Sequence, residues 1–259
     1  TRTARLSLSN IEYKLHLVEN CLYGIDLEQA ALDVTQTRFW YWLNNGELHP
    51  NSFDDGNLVQ GNSVTGSNPQ EACQDIGFEF RKQFSEIFTT DSPGFDIVIA
   101  NPPYVRQESI EKSVKEHVRS KRIFPNSLSG MSDLYAYFYS RATQLLKTGG
   151  VSSFICSNTW MDVHYGRLLQ KEFLNNFSDI EILGSKLLRQ FTTAEINTVI
   201  TFMSKKVDSK STVQFTLLNA DFKSSIGVST NQSKRSVLHS DLLELGMKDG
   251  IYVLSLIHI

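Results

Sequence analysis

Asn101-Pro102-Pro103-Tyr104 is the segment whose residue types could do chemistry. Two consecutive prolines lock φ and remove two N–H donors. Each also pushes the residue before it toward extended geometry. What remains is a stiff turn that offers acceptors: the Asn101 side-chain oxygen and the Pro102 carbonyl. An aromatic ring follows at Tyr104. This set suits a planar substrate that carries an NH2 group. Two acceptors can hold both amino hydrogens while Tyr104 stacks on the ring. If the acceptors lie out of the amine's preferred plane, they localise a lone pair that would otherwise delocalise into the ring. That is preorganised electrostatic catalysis, and it needs no strong base.

Such a turn must be held by something rigid. Asp96–Ala100 (DIVIA) is a continuous β-branched run, which predicts a strand buried on both faces and ending at the turn. Cys21–Asp26, Asn57–Gln60, Val151–Cys156, Ile180–Leu183, Val199–Met203 and Val213–Leu218 are further strand candidates. Between them, helical spacing predicts helices near Leu6–Val18, over Glu28–Leu43 (through Ala31, Val34, Phe39 and Trp42), Ser109–Arg122, Asp133–Leu146 and Arg167–Phe177. Gly77–Phe88 is partly helical. Thr148-Gly149-Gly150 is expected to stop the fourth helix. Alternation of this kind predicts an open, mostly parallel, doubly wound α/β sheet. In such sheets, ligands bind beyond the C-terminal ends of the strands.

Hydrophobic residues make up 41% of the 259 and charged residues 20%, within the range of globular domains. The net charge of −3 argues against a dedicated nucleic-acid-binding domain, so any such contact must come from a local patch. The three cysteines are isolated, and no His/Cys cluster has metal-ligand spacing, so no metal is expected. No run approaches the ~20 apolar residues that span a bilayer, and no signal peptide is visible. Beyond about Lys205 the composition turns polar, which places a boundary there: 1–205 as one domain and 206–253 as the start of a following region. The chain begins at Thr1 within a helical pattern. Leu254–Ile259 (LSLIHI) matches the in-frame translation of a transposon-end sequencing adapter, which would make the chain a fragment.

Several ordered segments resemble one family. Tyr23-Gly24-Ile25-Asp26 with Ala30, Gly61-Asn62-Ser63 and Phe95–Tyr104 come first. Met131-Ser132-Asp133-Leu134-Tyr135, Gly149-Gly150, Ser157-Asn158-Thr159-Trp160, Tyr165-Gly166 and Phe191-Thr192-Thr193-Ala194 come after them in the same order. Together they resemble the adenine-N6 DNA methyltransferases of restriction–modification systems, particularly gamma-class, type IIG-like enzymes, over about Ile11 to Lys205. The resemblance implies the class I S-adenosylmethionine-dependent fold, here without its first strand and glycine-rich loop. It also implies a cytoplasmic enzyme acting on double-stranded DNA, with a fused or separate endonuclease and specificity domain. Without the glycine-rich loop, the fragment itself should bind the cofactor poorly.

The same resemblance implies the site roles. Asn101, Pro102, Pro103 and Tyr104 are the catalytic loop. Asp26 binds the ribose hydroxyls of S-adenosylmethionine, Asn62 lies near its adenine, and Asn101 borders it. Phe191 packs on the second face of a flipped adenine held against Tyr104. Blander readings stand beside these: Asp26 as a helix cap, Gly61-Asn62 as a turn, Asp133 as an N-terminal helix residue and Phe191 as a core residue. Six basic residues against three acidic ones lie between Arg106 and Arg122. Arg106, Lys112 and Lys115 could touch phosphates, or the run could be a solvated helix face. The tetrapeptide also suits protein-glutamine and RNA N-methyltransferases. A non-catalytic DNA-binding subunit is the rival from another class.

Overall fold

The computed structural model describes residues 10–46, 56–65, 80–120, 124, 128, 132–185, 197–205, 211–219, 222 and 232–249. These fall in two compact units, residues 1–85 and 86–259.

The first unit is a helix–strand–helix–strand run. Helix α1 (Asn10–Asn20) leads to strand β1 (Gly24–Asp26), helix α2 (Gln29–Leu43) and strand β2 (Leu58–Gln60). β1 and β2 are parallel, with Asp26 opposite Gln60. Parallel neighbours need a crossover, and α2 lies within it. Lys14 is buried under the end of α2, where its ammonium donates to the Trp42 carbonyl (2.7 Å) and the Asn45 side chain (2.5 Å). The stripe expected on α2 is corrected in part. Leu32 and Leu43 are buried, whereas Val34 and Trp42 are exposed. A short helix, α3 (Phe80–Gln83), puts Phe84 edge-on against Tyr23.

The second unit begins with helix α4 (Ser85–Phe88) and strand β3 (Phe95–Ala100). Helices α5 (Lys112–Ser120) and α6 (Leu134–Leu145) come next. Then come strand β4 (Leu146–Ser157), helix α7 (His164–Asn176) and strands β5 (Ile180–Ser185) and β6 (Thr198–Ser204). Strands β7 (Thr212–Leu218) and β8 (Gln232–Leu238) and helix α8 (His239–Asp249) complete it. The sheet order is β3-β4-β6-β5-β7-β8. β3 is parallel to β4 and β5 to β7, while β6 and β8 run against their neighbours. Four of the six strands therefore point one way, which is the mostly parallel α/β sheet expected. The polar composition after Lys205 does not interrupt it, because β7 pairs with β5 from Val213 to Leu218.

Two expectations around β3 are corrected. The strand is not buried on both faces: Ile97 is 63% and Ile99 75% exposed. Among the described residues nothing packs over that face closely enough to bury them, and β3 is the edge strand of this sheet. The glycines after α6 do not stop that helix either. It ends at Leu145, and Leu146 is already extended and paired with Phe95. Residues 147–150 then bulge away from β3 before Ile97 meets Val151. Gly149, at φ +80, and Gly150 pair with Lys205 instead, through bonds of 2.7 and 2.8 Å.

The core of the unit is aromatic. Tyr139 of α6 stacks on Phe154 of β4 at 4.6 Å, and Phe173 of α7 meets both Tyr139 and Trp160 edge-on. The Tyr139 hydroxyl is satisfied inside this cluster by Thr201 (2.8 Å) and Cys156 (3.0 Å). α6 thereby packs on β4, and α7 packs on α6 and on Trp160 just after β4.

Gly94 sets where β3 enters the sheet. It sits at φ +117, and a Cβ there would lie 2.5 Å from the Lys147 nitrogen and 2.7 Å from the Leu145 carbonyl oxygen. Gly94→Ala is predicted to lower stability by roughly 2–4 kcal/mol, from left-handed backbone plus overpacking. A urea titration checks this, and an unchanged midpoint would contradict the packing described.

Candidate active site

β3 and β4 run parallel, with Ala100 opposite Phe154, so the segments that leave their C-terminal ends lie side by side. From β3 comes Asn101-Pro102-Pro103-Tyr104. Asn101 and Pro103 are exposed, Pro102 is buried and Tyr104 is half-buried. The Val105 N–H donates to the Pro103 carbonyl (2.9 Å), which tightens the turn and occupies that oxygen. Among the described residues, no donor reaches the Pro102 carbonyl. Among the described residues the loop thus keeps two acceptors without a donor, the Asn101 side-chain oxygen and the Pro102 carbonyl.

Tyr104 is oriented by burial of its tip. Its hydroxyl is fully enclosed and has no hydrogen-bond partner among the described residues, while the residue as a whole stays partly open. Burial, with Cys156 nearby, pushes the phenol up to about 12. It therefore stays protonated and offers a ring face rather than a base.

Downstream, the loop is tied to the start of α6. Leu134 N–H donates to the Val105 carbonyl (3.0 Å), and Gln107 N–H donates to Asp133 Oδ1 (2.9 Å). Asp133 occupies the N-cap position of α6, yet its side chain makes no capping bond. Its second oxygen accepts from the Tyr165 hydroxyl at 2.7 Å. The sequence left Asp133 open, and the structure places it against the loop. Gly166 beside it has no room for a side chain, since a Cβ would lie 1.7 Å from the Trp160 carbonyl oxygen.

The basic residues divide. Arg106 and Lys112 are exposed. Lys115 is half-buried, and its ammonium donates to the Gln107 carbonyl, bracing the short 3-10 turn Gln107–Ser109. Phe191 lies outside the described residues, as do Lys121, Arg122 and Leu254–Ile259.

In the other unit, Asp26 and Asn62 share one end of the β1–β2 pair. Gly61 N–H donates to the Asp26 carbonyl (2.9 Å). The exposed Asp26 carboxylate accepts the Glu28 N–H through Oδ1 (2.9 Å), a local turn leading into α2. Oδ2 has no partner among the described residues, so the helix-entry role leaves an oxygen for ribose hydroxyls. Asn62 Oδ1 accepts the N–H groups of Val64 (2.9 Å) and Thr65 (3.1 Å), which is the turn reading. Only its amide NH2 is left to meet a base. No group of three His, Cys, Asp or Glu suited to a metal occurs among the described residues. No described helix is long and apolar enough to cross a membrane.

Known proteins resemble the chain in sequence and in fold. The chain is 28% identical over 151 residues to the type II methyltransferase M.HincII of Haemophilus influenzae, covering 58% of the chain and 30% of that protein. It is 31% identical over 106 residues to the adenine-specific methyltransferase BrxX of Escherichia coli, covering 40% of the chain and 8% of that protein. The chain thus spans less than a third of either relative. The DrdV–DNA complex has the same fold, with a TM-score of 0.59 at 13% identity over 86% of the chain and 24% of that structure's chain. The Eco57I restriction-modification methylase model matches residues 20–207, a span that holds β1 with Asp26, the acceptor loop after β3 and Asp133. With most of its length inside that match, the chain belongs to the Eco57I restriction-modification methylase family.

Proposed function

We propose that the protein containing this chain transfers a methyl group from S-adenosylmethionine to the exocyclic N6 of an adenine flipped out of double-stranded DNA. The observation that carries this reading is the pair of untaken acceptors, Asn101 Oδ1 and the Pro102 carbonyl, on a donor-poor turn beside the half-open Tyr104 ring. The family's restriction–modification character and the adenine-specific relative support DNA and adenine as the target.

The residues present fit the cofactor in part. The free Asp26 oxygen suits vicinal hydroxyls, while Asn62 offers only its amide donors. When bound, the cofactor supplies an electrophilic methyl on a sulfonium. Asn101 and Pro102 then accept one amino hydrogen each and turn the nitrogen lone pair outward. Tyr104 fixes the ring plane, which supplies the orientation term. A dry site strengthens both acceptors. The proton leaves the nitrogen after transfer, so no strong base is required. Removing adenine from the stack costs a few kcal/mol, which stacking on Tyr104, and on Phe191 in this reading, offsets.

Arg106 and Lys112 are the phosphate contacts of this proposal. Lys115 braces the turn between them and contributes charge only. Residues 206–253, an endonuclease and a specificity domain complete the proposed assembly, which acts in the cytoplasm.

Asn101→Ala in the full-length protein is expected to lower kcat for tritium transfer to DNA by roughly 10²–10³-fold, with DNA affinity nearly unchanged. RNA and release-factor substrates assayed in parallel should stay unlabelled. Label in either of them, or full activity in the variant, contradicts the reading. Tyr104→Ala should weaken capture of an extruded 2-aminopurine by roughly 10- to 100-fold. Tyr104→Phe should retain the fluorescence signal, because the lost hydroxyl has no partner. Equal loss in both variants would place the ring elsewhere.

A further inference from the structure

Four hydroxyls beside the acceptor loop form one relay that ends on Asp133. Ser157 Oγ lies 2.9 Å from Thr159 Oγ1, and Thr159 Oγ1 lies 3.0 Å from Tyr135 Oη. Tyr135 Oη lies 2.6 Å from Tyr165 Oη, and Tyr165 donates to Asp133 Oδ2 at 2.7 Å. A carboxylate only accepts, so it sets the direction of every proton. Tyr165 donates to Asp133 and must accept from Tyr135. Tyr135 in turn accepts from Thr159, and Thr159 from Ser157. The Ser157 oxygen is filled by the Thr159 N–H at 3.2 Å. Burial pushes the Tyr135 and Tyr165 phenols up, so both remain donors. A run of hydroxyls aligned head to tail polarises each member and strengthens the whole.

The relay connects the segment after β4 to the segment after β3. Its far end lies at the end of β4, where α7 packs on α6 and on Trp160. There Gln170 Nε2 donates to the Trp160 carbonyl (3.2 Å), and Gly166 allows the close approach. Its near end grips the loop, because the other Asp133 oxygen holds the Gln107 N–H. Asp133 and Leu134 thus hold Gln107 and Val105, two attachment points that fix both position and rotation. Pro102 and Pro103 bring no N–H donors of their own, so support must come from residues such as these.

We infer that Asp133 is a positioning residue for the acceptor loop, and that Tyr165, Tyr135, Thr159 and Ser157 act through it to keep Asn101 and Pro102 aimed at one point. The inference rests on the methyl-transfer reading for its kinetic consequence and on geometry alone for its structural one.

Asp133→Asn in the full-length protein tests it. An amide keeps one acceptor oxygen, so either Gln107 N–H or Tyr165 O–H loses its partner. The kcat should fall roughly 10- to 100-fold from misplacement of the loop, with KM for S-adenosylmethionine within about twofold. Amide exchange should accelerate in residues 101–109 and not in β5 and β6. Tyr165→Phe should cost less, and the double variant should be within about twofold of Asp133→Asn alone, since both act through one carboxylate. Unchanged exchange at 101–109, acceleration spread evenly over the sheet, or multiplying effects in the double variant would each overturn the inference. Exchange needs no methyl transfer. A protein inactive on every nucleic acid would therefore sink the functional reading while the exchange result still decides this one.

Discussion

The constraint on which the site depends is the scarcity of donors in Asn101-Pro102-Pro103. Prolines cannot join a backbone ladder. The stretch is stiff internally, yet it brings almost nothing with which to fasten itself to the sheet. Fastening falls to the residues just after it, through Val105 to Leu134 and Gln107 to Asp133. The same scarcity leaves acceptors open. A loop with more N–H groups would fold back on its own carbonyls and close the positions that an amine needs.

That arrangement is the reverse of an oxyanion hole. There, donors await a developing negative charge. In the proposed reaction, acceptors await an amino group that becomes positive as it is alkylated, and acceptors placed beforehand need no reorganisation. Tyr104 contributes shape rather than proton transfer, since its hydroxyl is enclosed and its phenol pushed up to about 12. Asn101–Tyr104 and Asp26 belong to different compact units.

Much of this was legible in the sequence because it rests on local chemistry. Ile97, Val98 and Ile99 are β-branched and the run is flanked by breakers, so strand and loop are both read directly. The alternation of strands and helices carries the sheet. What failed depends on neighbours that no local pattern reveals. Burial of Ile97 and Ile99 needs a layer packed on their face of β3. The buried face of α2 is set by Leu32 and Leu43 rather than by Val34 and Trp42. The glycines after Leu145 read as a helix stop, yet they form a bulge bonded to Lys205, far away along the chain. Asp133 could be a cap or a functional residue on sequence alone. Only the fold shows that both of its oxygens face away from the helix it begins. Asp26 and Asn62 each do the local turn job and retain polar atoms to spare, so neither description of them excludes the other.

The central claim is that this loop grips the amino group of a purine in DNA. Nucleoside analysis by mass spectrometry tests it most directly, after the full-length protein has acted on unmethylated duplex with isotope-labelled S-adenosylmethionine. The account predicts that the label resides in N6-methyladenine. Label in 5-methylcytosine would contradict it, because carbon alkylation has no use for two acceptors and an enclosed phenol.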